Sequence, residues 1–213
     1  MKITIAPSIL AGNHANLEAS MDRVIRSGAR WLHIDAMDGH FVPHFAFGSQ
    51  TVRALATGKK NLFFDVHLML SHPEYFVESF AKEGADLISI HLESKAPLEK
   101  TLRHIKQMGK QAGIAINPET SVEKVFPLID AVDLVLIMGV NPGLCGQKFI
   151  ENTLEKIEML RGCHGAVKIE VDGGINLENA KLCIQRGADI VTAGTAFFAA
   201  QDPRKFVEQV EYE

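Results

Sequence analysis

Eight short apolar runs recur along the chain: KITIAPS, RWLHIDAM, LFFDVHLML, DLISIHLE, QAGIAIN, VDLVLIM, AVKIEVDG and ADIVTAG. Their length and β-branched content predict strands. Between successive runs lie stretches with apolar residues at helical spacing, among them HANLEASMDRVIRSG, HPEYFVESFAKEG, PLEKTLRHIKQMG, IENTLEKIEMLRG and LENAKLCIQRG, most of them closing on Gly. Each unit reads as a strand followed by a helix. A strand rejoins its neighbour in parallel only through a crossover, usually helical, so this order predicts a parallel sheet. Eight such units predict an α/β fold closed as a (β/α)8 TIM barrel. The last segment, DPRKFVEQV, opens with Asp202-Pro203 in N-cap and first-turn positions and predicts an outer helix, leaving residues 1–213 as a single domain. The alternative is a doubly wound open sheet. It is weakened because no GxGxxG follows the first strand, where KITIAPSIL runs directly into AGNHANLE.

Composition narrows the partners. At 213 residues, with 46% hydrophobic and 23% charged positions, the chain is ordinary for a globular protein of barrel size. A formal net charge of -4 gives no long-range pull toward nucleic acid or an anionic membrane, so neither is expected as a partner and any anion site must be local. The start MKITIAPSIL lacks a signal-peptide core, and no apolar run approaches the roughly 18 residues of a membrane span, which predicts a cytoplasmic protein. Cys145, Cys163 and Cys183 are odd in number and show no CxxC spacing, so they read as reduced thiols.

In a barrel of this kind the chemistry sits at the C-terminal ends of the strands. The second strand carries His33 and Asp35 at i, i+2 spacing, on one face and just before the Asp38-Gly39 turn. The third carries His67 within an otherwise largely apolar run, and the seventh ends in Asp172. Any one of these could be a satisfied polar group of a barrel interior. Two imidazoles and two carboxylates together make a mixed nitrogen and oxygen donor set, suited to a divalent ion such as zinc, iron(II), manganese(II) or cobalt(II). Asp65 and Glu170 share those faces one step deeper and read as supporting or layer-filling groups.

Three glycine-rich turns predict an anion site: Asn141 to Gly146 after the sixth strand, Asp172 to Gly174 after the seventh, and Ala193 to Thr195 after the eighth. Each alone is an ordinary tight turn; side by side on a barrel they would bring backbone N–H groups onto a phosphate. Met37, Met69 and Met138 at the strand ends fit either rim packing or a water-excluding wall. His40, His44, His72 and His91 read as solvated or structural, and Gly58-Lys59-Lys60 as a solvated loop.

The segments APSIL, HIDAMDGHFVP, FFDVHLML, INPET, VNPG followed by GQ, EVDGGIN and AGTAFF, in that order and over nearly the whole chain, resemble the successive motifs of ribulose-phosphate 3-epimerases. The resemblance implies a ribulose-phosphate-binding type of TIM barrel and a metal-dependent enzyme that interconverts D-ribulose 5-phosphate and D-xylulose 5-phosphate. It makes His33, Asp35, His67 and Asp172 the ligands of one divalent ion, most often zinc, with Asp35 and Asp172 also the acid/base pair. It places Ser8, His67, Met37, Met69 and Met138 around the sugar. It assigns the phosphate to Gly143, Leu144, Cys145, Gly146, Gly173, Gly174, Gly194 and Thr195, and it implies a homo-oligomer, a dimer or a hexamer. Inverting a carbon beside a carbonyl needs one group to remove a proton and another to return one, which two carboxylates on different strands satisfy.

Four places depart from that family pattern. Asn13 stands where the family usually has Asp, His14 where it has an aromatic residue, Gly139 where it has a hydroxyl residue, and Leu144-Cys145 where it has Phe-Gly. The last change leaves open a six-carbon ketose phosphate such as D-allulose 6-phosphate as the substrate, and marks Cys145 as a thiol open to activation at an anion-binding turn. Two other readings remain beside these. A barrel doing aldol or decarboxylation chemistry would need a lysine at a strand end, and Lys168 lies early in its strand; a non-catalytic sugar-phosphate binder would not need both carboxylates and both histidines.

Overall fold

The run from Leu32 to Met37 is buried throughout, as befits a parallel strand covered on both faces. Alternation sends Leu32, Ile34 and Ala36 outward into the apolar layer under the helices and His33, Asp35 and Met37 to the opposite face, the lumen. The same alternation recurs around the whole sheet. A computed structural model describes residues 3–57 and 61–211, so the predicted Gly58-Lys59-Lys60 loop lies outside the described residues.

The strands are β1 (Thr4–Pro7), β2 (Trp31–Met37), β3 (Phe63–Met69), β4 (Leu87–His91), β5 (Gln111–Ile116), β6 (Leu134–Met138), β7 (Lys168–Asp172) and β8 (Ile190–Ala193). They form one parallel sheet in which β1 pairs with β8 and every other neighbour is consecutive, down to β2. The last seam, between β1 and β2, is drawn together by a parallel bridge between Ser8 and His33. Around the sheet run α1 (Leu17–Ser27), α2 (Ser49–Ala56), α3 (Val77–Lys82), α4 (Leu98–Gln107), α5 (Asn152–Cys163), α6 (Leu177–Gln185), α7 (Thr195–Ala199) and α8 (Pro203–Glu211). This is the expected (β/α)8 barrel.

Local chemistry sets the helix ends. The Asn16 side chain accepts from the Ala19 N–H at 3.0 Å to start α1, and Gly28 at φ 90° closes it in the left-handed conformation that costs glycine nothing. Pro203 opens α8 as expected, with the Asp202 carboxylate accepting from the Lys205 N–H. One unit departs from strand-then-helix: after β5 the chain runs as 3-10 turns over Val122–Ala131. Pro127 sits inside that stretch, and its missing N–H and ring would break an α-helical ladder there.

Two apolar layers hold the barrel. The larger lies between sheet and helices, with Ile5, Leu32, Ile34, Leu68, Leu102 and Ile114 fully buried, each contributing on the order of 1.5–3 kcal/mol by leaving water. The smaller fills the lumen with Leu87, Leu134, Leu136 and Ile190. Trp31 and Phe63, the first residues of β2 and β3, stack at 4.1 Å between centroids and add to that lumen layer. The open end of the barrel is therefore the C-terminal one, where the polar residues lie.

Candidate active site

Strand register assembles the site. β2 and β3 pair so that Asp35 lies beside His67, Met37 beside Met69 and, one layer deeper, His33 beside Asp65. Across the lumen β7 brings Asp172 level with Met138 of β6 and Thr192 of β8. His33, Asp35, His67 and Asp172 converge with their donor atoms all within 4.8 Å of one another. His33 Nε2 is 3.3 Å from Asp35 Oδ1 and 3.8 Å from Asp172 Oδ2, and His67 Nδ1 is 3.1 Å and 3.7 Å from the same two oxygens. Both histidines are fully buried.

The charge balance is uneven. Burial pushes Asp35 up, but the charge of His33 and hydrogen bonds from His33 and His67 outweigh it and hold the carboxyl well below the usual range. Asp172 goes the other way: burial, with Asp35, Glu170 and Asp65 nearby, raises it well above that range despite His33. Burial also works against a charged His33, and the carboxylates Asp65, Asp35 and Asp172 win, holding it well above the ordinary imidazole value. Below them His33 Nδ1 lies 2.6 Å from Asp65 Oδ2 and 3.3 Å from Glu170 Oε1. Asp65 Oδ1 and Glu170 Oε2 are buried without a partner. A proton retained on Glu170 satisfies both, consistent with a pKa pushed up to about 7 by burial and then by Asp65. The deeper carboxylates thus support His33, as their position one layer down suggested.

Above the cluster opens a cavity of about 290 Å³. Its floor includes Asp35 and Asp172, and it is lined as well by Met37, Met69 and Met138 and by Ser8, the residue just after β1. The lining also includes Gly143, Leu144, Cys145, Gly146, Gly173, Gly174, Gly194 and Thr195, so the three glycine-rich turns do meet. His33 does not line the cavity, and neither does His67, which was expected to touch substrate; each lies beneath the floor and presents one nitrogen to Asp35 and Asp172.

The sequence profile of the ribulose-phosphate 3-epimerase family matches residues 4–198. The chain belongs to that family. Relatives extend over nearly the full length: ribulose-phosphate 3-epimerase of Chlamydia muridarum is 45% identical over 202 residues, covering 92% of this chain and 88% of its own. The Bacillus subtilis protein of the same name is 41% identical over 213 residues, covering 98% of both. The chain is accordingly an enzyme, an epimerase of this family. Among solved structures, KGPDC from Streptococcus mutans superposes with a TM-score of 0.72 at 14% identity, over 99% of this chain and 96% of that one. 3-Hexulose-6-phosphate synthase does so at 0.66 and 17%, over 99% and 98%. These two share the fold.

Three of the departures from the epimerase pattern have physical accounts, while nothing in the structure explains Leu144-Cys145. The Asn13 side chain accepts from the Ala15 N–H at 3.0 Å, a turn that Asp would make equally well. His14 stacks on Phe47 at 5.1 Å and so keeps an aromatic contact. A Cβ on Gly139 would sit 2.4 Å from the Gly173 carbonyl oxygen and 2.9 Å from the Phe149 ring, so this backbone has no room for a hydroxyl side chain. Cys145 is not activated: burial, then the charges of Asp35 and Asp172, push its thiol up to about 11.

Other parts of the site were not anticipated. His91, read as solvated or structural, is fully buried at the end of β4 with its Nε2 2.8 Å from His67 Nε2. Burial takes it down to about 4 even with Glu93 beside it. Its i, i+2 spacing to Glu93 repeats that of His33 and Asp35, and that repetition was a signal available in the chain. The Thr192 hydroxyl donates to Glu170 at 2.6 Å. Gln147 holds the loop after β6 by donating to the carbonyls of Asn141 and Leu144 at 2.7 and 2.9 Å. Among the described residues no helix is long and apolar enough to cross a membrane.

Proposed function

We propose that this chain, acting as one domain over residues 1–213, inverts C3 of D-ribulose 5-phosphate to give D-xylulose 5-phosphate by proton transfer between two carboxylates. The observation that carries this is the convergence of two carboxylates from different strands, Asp35 of β2 and Asp172 of β7, on the floor of one cavity, where without a cation their surroundings drive one toward the ionised and the other toward the protonated form. Paired groups with environments that push their pKa values apart are suited to divided acid and base duties. One removes the C3 proton while the other stands ready to deliver a proton to the opposite face, and their roles exchange for the reverse reaction.

His33, Asp35, His67 and Asp172 would hold one divalent cation. Their donor set fits it: two imidazole nitrogens and two carboxylate oxygens converge within 4.8 Å, buried beside two further acids. Zinc suits this set best. When bound, the cation supplies positive charge that stabilises the enediolate as it develops. Ser8 and the three methionines would orient the sugar and keep water out. The turns at Gly143 to Gly146, Gly173-Gly174 and Gly194-Thr195 would hold the phosphate, because positive φ at Gly143, Gly146, Gly173 and Gly174 lets bare backbone line the cavity.

A homo-oligomer, dimer or hexamer, belongs to the same proposal. It rests on the resemblance to the family alone. A cytoplasmic location fits a phosphorylated substrate.

Proton NMR of the metal-loaded protein in D2O with D-ribulose 5-phosphate tests the reaction. Deuterium at C3 together with D-xylulose 5-phosphate is the expected result; a folded, metal-loaded protein giving neither would overturn it. The second reading, a six-carbon ketose phosphate, is favoured by Leu144 and Cys145 on the cavity wall. Exchange only with D-allulose 6-phosphate would select it.

A further inference from the structure

Behind His67 runs a line of polar side chains that the reaction above leaves unused. His67 Nε2 faces His91 Nε2 at 2.8 Å, and His91 Nδ1 faces Glu93 Oε2 at 3.1 Å. The other Glu93 oxygen accepts from the Asn117 N–H at 2.9 Å and from the Thr120 hydroxyl. Asn117 and Thr120 belong to the loop after β5, and the Lys156 ammonium of α5 pins that loop by donating to the carbonyls of Asn117, Pro118 and Thr120. The line therefore runs from helix to loop to β4 to the floor of the site.

Counting hydrogens places one on His67 Nε2. An ionised carboxylate only accepts, so the His91 nitrogen facing Glu93 must carry a hydrogen. Neutral His91 then has a bare Nε2. The nitrogen opposite, His67 Nε2, must be the donor, so His67 Nδ1, 3.1 and 3.7 Å from Asp35 and Asp172, is the nitrogen that gives up its hydrogen when a cation is held there. His33 is backed more directly, by Asp65 on its Nδ1, and presents Nε2. Outer hydrogen bonds of this kind fix ring orientation and tautomer in metal-binding histidines.

We propose that His91 and Glu93 are positioning residues that hold His67 in the tautomer with its Nδ1 lone pair turned toward the cation site. The proposal rests on the reading of His67 as a ligand. It predicts that the loop INPET acts on the active site through Glu93, with no contact to substrate.

Two readouts test it, and the first needs no metal. Long-range ¹H–¹⁵N correlation of the imidazoles in the full-length metal-free protein should show a hydrogen on His67 Nε2. The opposite tautomer overturns the proposal. In the second, cobalt(II) is titrated into the wild type, His91→Phe, His91→Gln and Glu93→Gln, with circular dichroism confirming the fold. His91→Phe should weaken cobalt binding about 10- to 100-fold. His91→Gln, which keeps an acceptor toward His67 and a donor toward Glu93, should recover most of the loss, and Glu93→Gln should fall between. Affinities of folded His91→Phe and Glu93→Gln within about twofold of wild type overturn the role. Should His91→Phe not fold, Glu93→Gln and the tautomer spectrum decide. A wild-type chain that binds no cobalt removes the ligand reading itself and with it this role, while the metal-free spectrum reads the tautomer independently.

Discussion

The Ser8 hydroxyl donates to Asp35 Oδ2 at 2.8 Å across the seam between β1 and β2, the same seam that the Ser8–His33 backbone bridge draws together. Barrel closure and the placement of a proposed proton-transfer group therefore depend on one residue. Ser8→Ala keeps the backbone bridge and removes the hydrogen bond to a buried carboxylate. A bond to a charged group is worth about 1.5–3 kcal/mol of stability, so the melting temperature should fall by roughly 3–12 °C, and kcat by about tenfold or more as Asp35 loses the donor that positions it. An unchanged kcat in the folded variant would show that Asp35 does not need this donor.

Asp172→Asn should preserve the fold and lower turnover by at least about 100-fold, because the side chain keeps its volume and loses its capacity to exchange a proton. C3 deuterium exchange, measured separately from product formation, shows whether both directions of transfer are lost. Wild-type exchange in this variant would remove Asp172 from the acid/base pair.

Removal of a divalent ion should suppress activity without unfolding the barrel, since the cluster sits on three strands of a barrel held by apolar layers independent of it. Chelator treatment followed by metal analysis should find one ion per active chain, and readdition of zinc, manganese(II) or cobalt(II) should restore turnover. Full activity in protein shown by analysis to be metal-free would exclude the ion from the reaction.

Gly139→Ser would restore the hydroxyl residue of the epimerase pattern, yet the added Cβ meets the Gly173 carbonyl oxygen at 2.4 Å. The expected cost is about 1–3 kcal/mol of stability, read from urea unfolding. KM should rise as well, because Gly173 lines the cavity. A variant as stable as the parent would mean that the loop after β7 moves freely, which its packing on Val140 and Phe149 argues against.

Acid stability should carry the signature of Glu93. Burial pushes this carboxyl up, but hydrogen bonds from His91, Thr120 and Asn117 bring it down to about 2 from an ordinary 4.5. A depressed folded pKa gives stability that is fully present above the unfolded value and is lost as pH falls toward the folded one. The stability gap between wild type and Glu93→Gln should therefore be widest near neutral pH and narrow from about pH 5 to about pH 3. A gap that stays constant over that range would contradict the assignment.

The barrel was legible along the chain because its two periodicities are local. Strand runs such as DLISIHLE and VDLVLIM, and amphipathic stretches such as PLEKTLRHIKQMG, announce themselves within a few residues. Asp35 and His33 were legible for the same reason, since i, i+2 spacing places two side chains on one face whatever surrounds them. The 3-10 course of Val122–Ala131 was less so, although Pro127 forbids a regular helix there.

What only the tertiary structure decided is which polar groups meet. β2–β3 register sets Asp35 beside His67, and ring closure brings β7 across to deliver Asp172 to the same point. Neither distance can be read from spacing, because the residues lie far apart along the chain. His91 shows the limit most plainly: its sequence neighbours mark the end of a strand, while its burial, its contact with His67 and its line to Glu93 and Lys156 arise from four separate segments. Residue types and their faces follow from local covalent geometry and hydrophobic period, whereas burial, protonation and pairing depend on long-range packing, which no single segment contains.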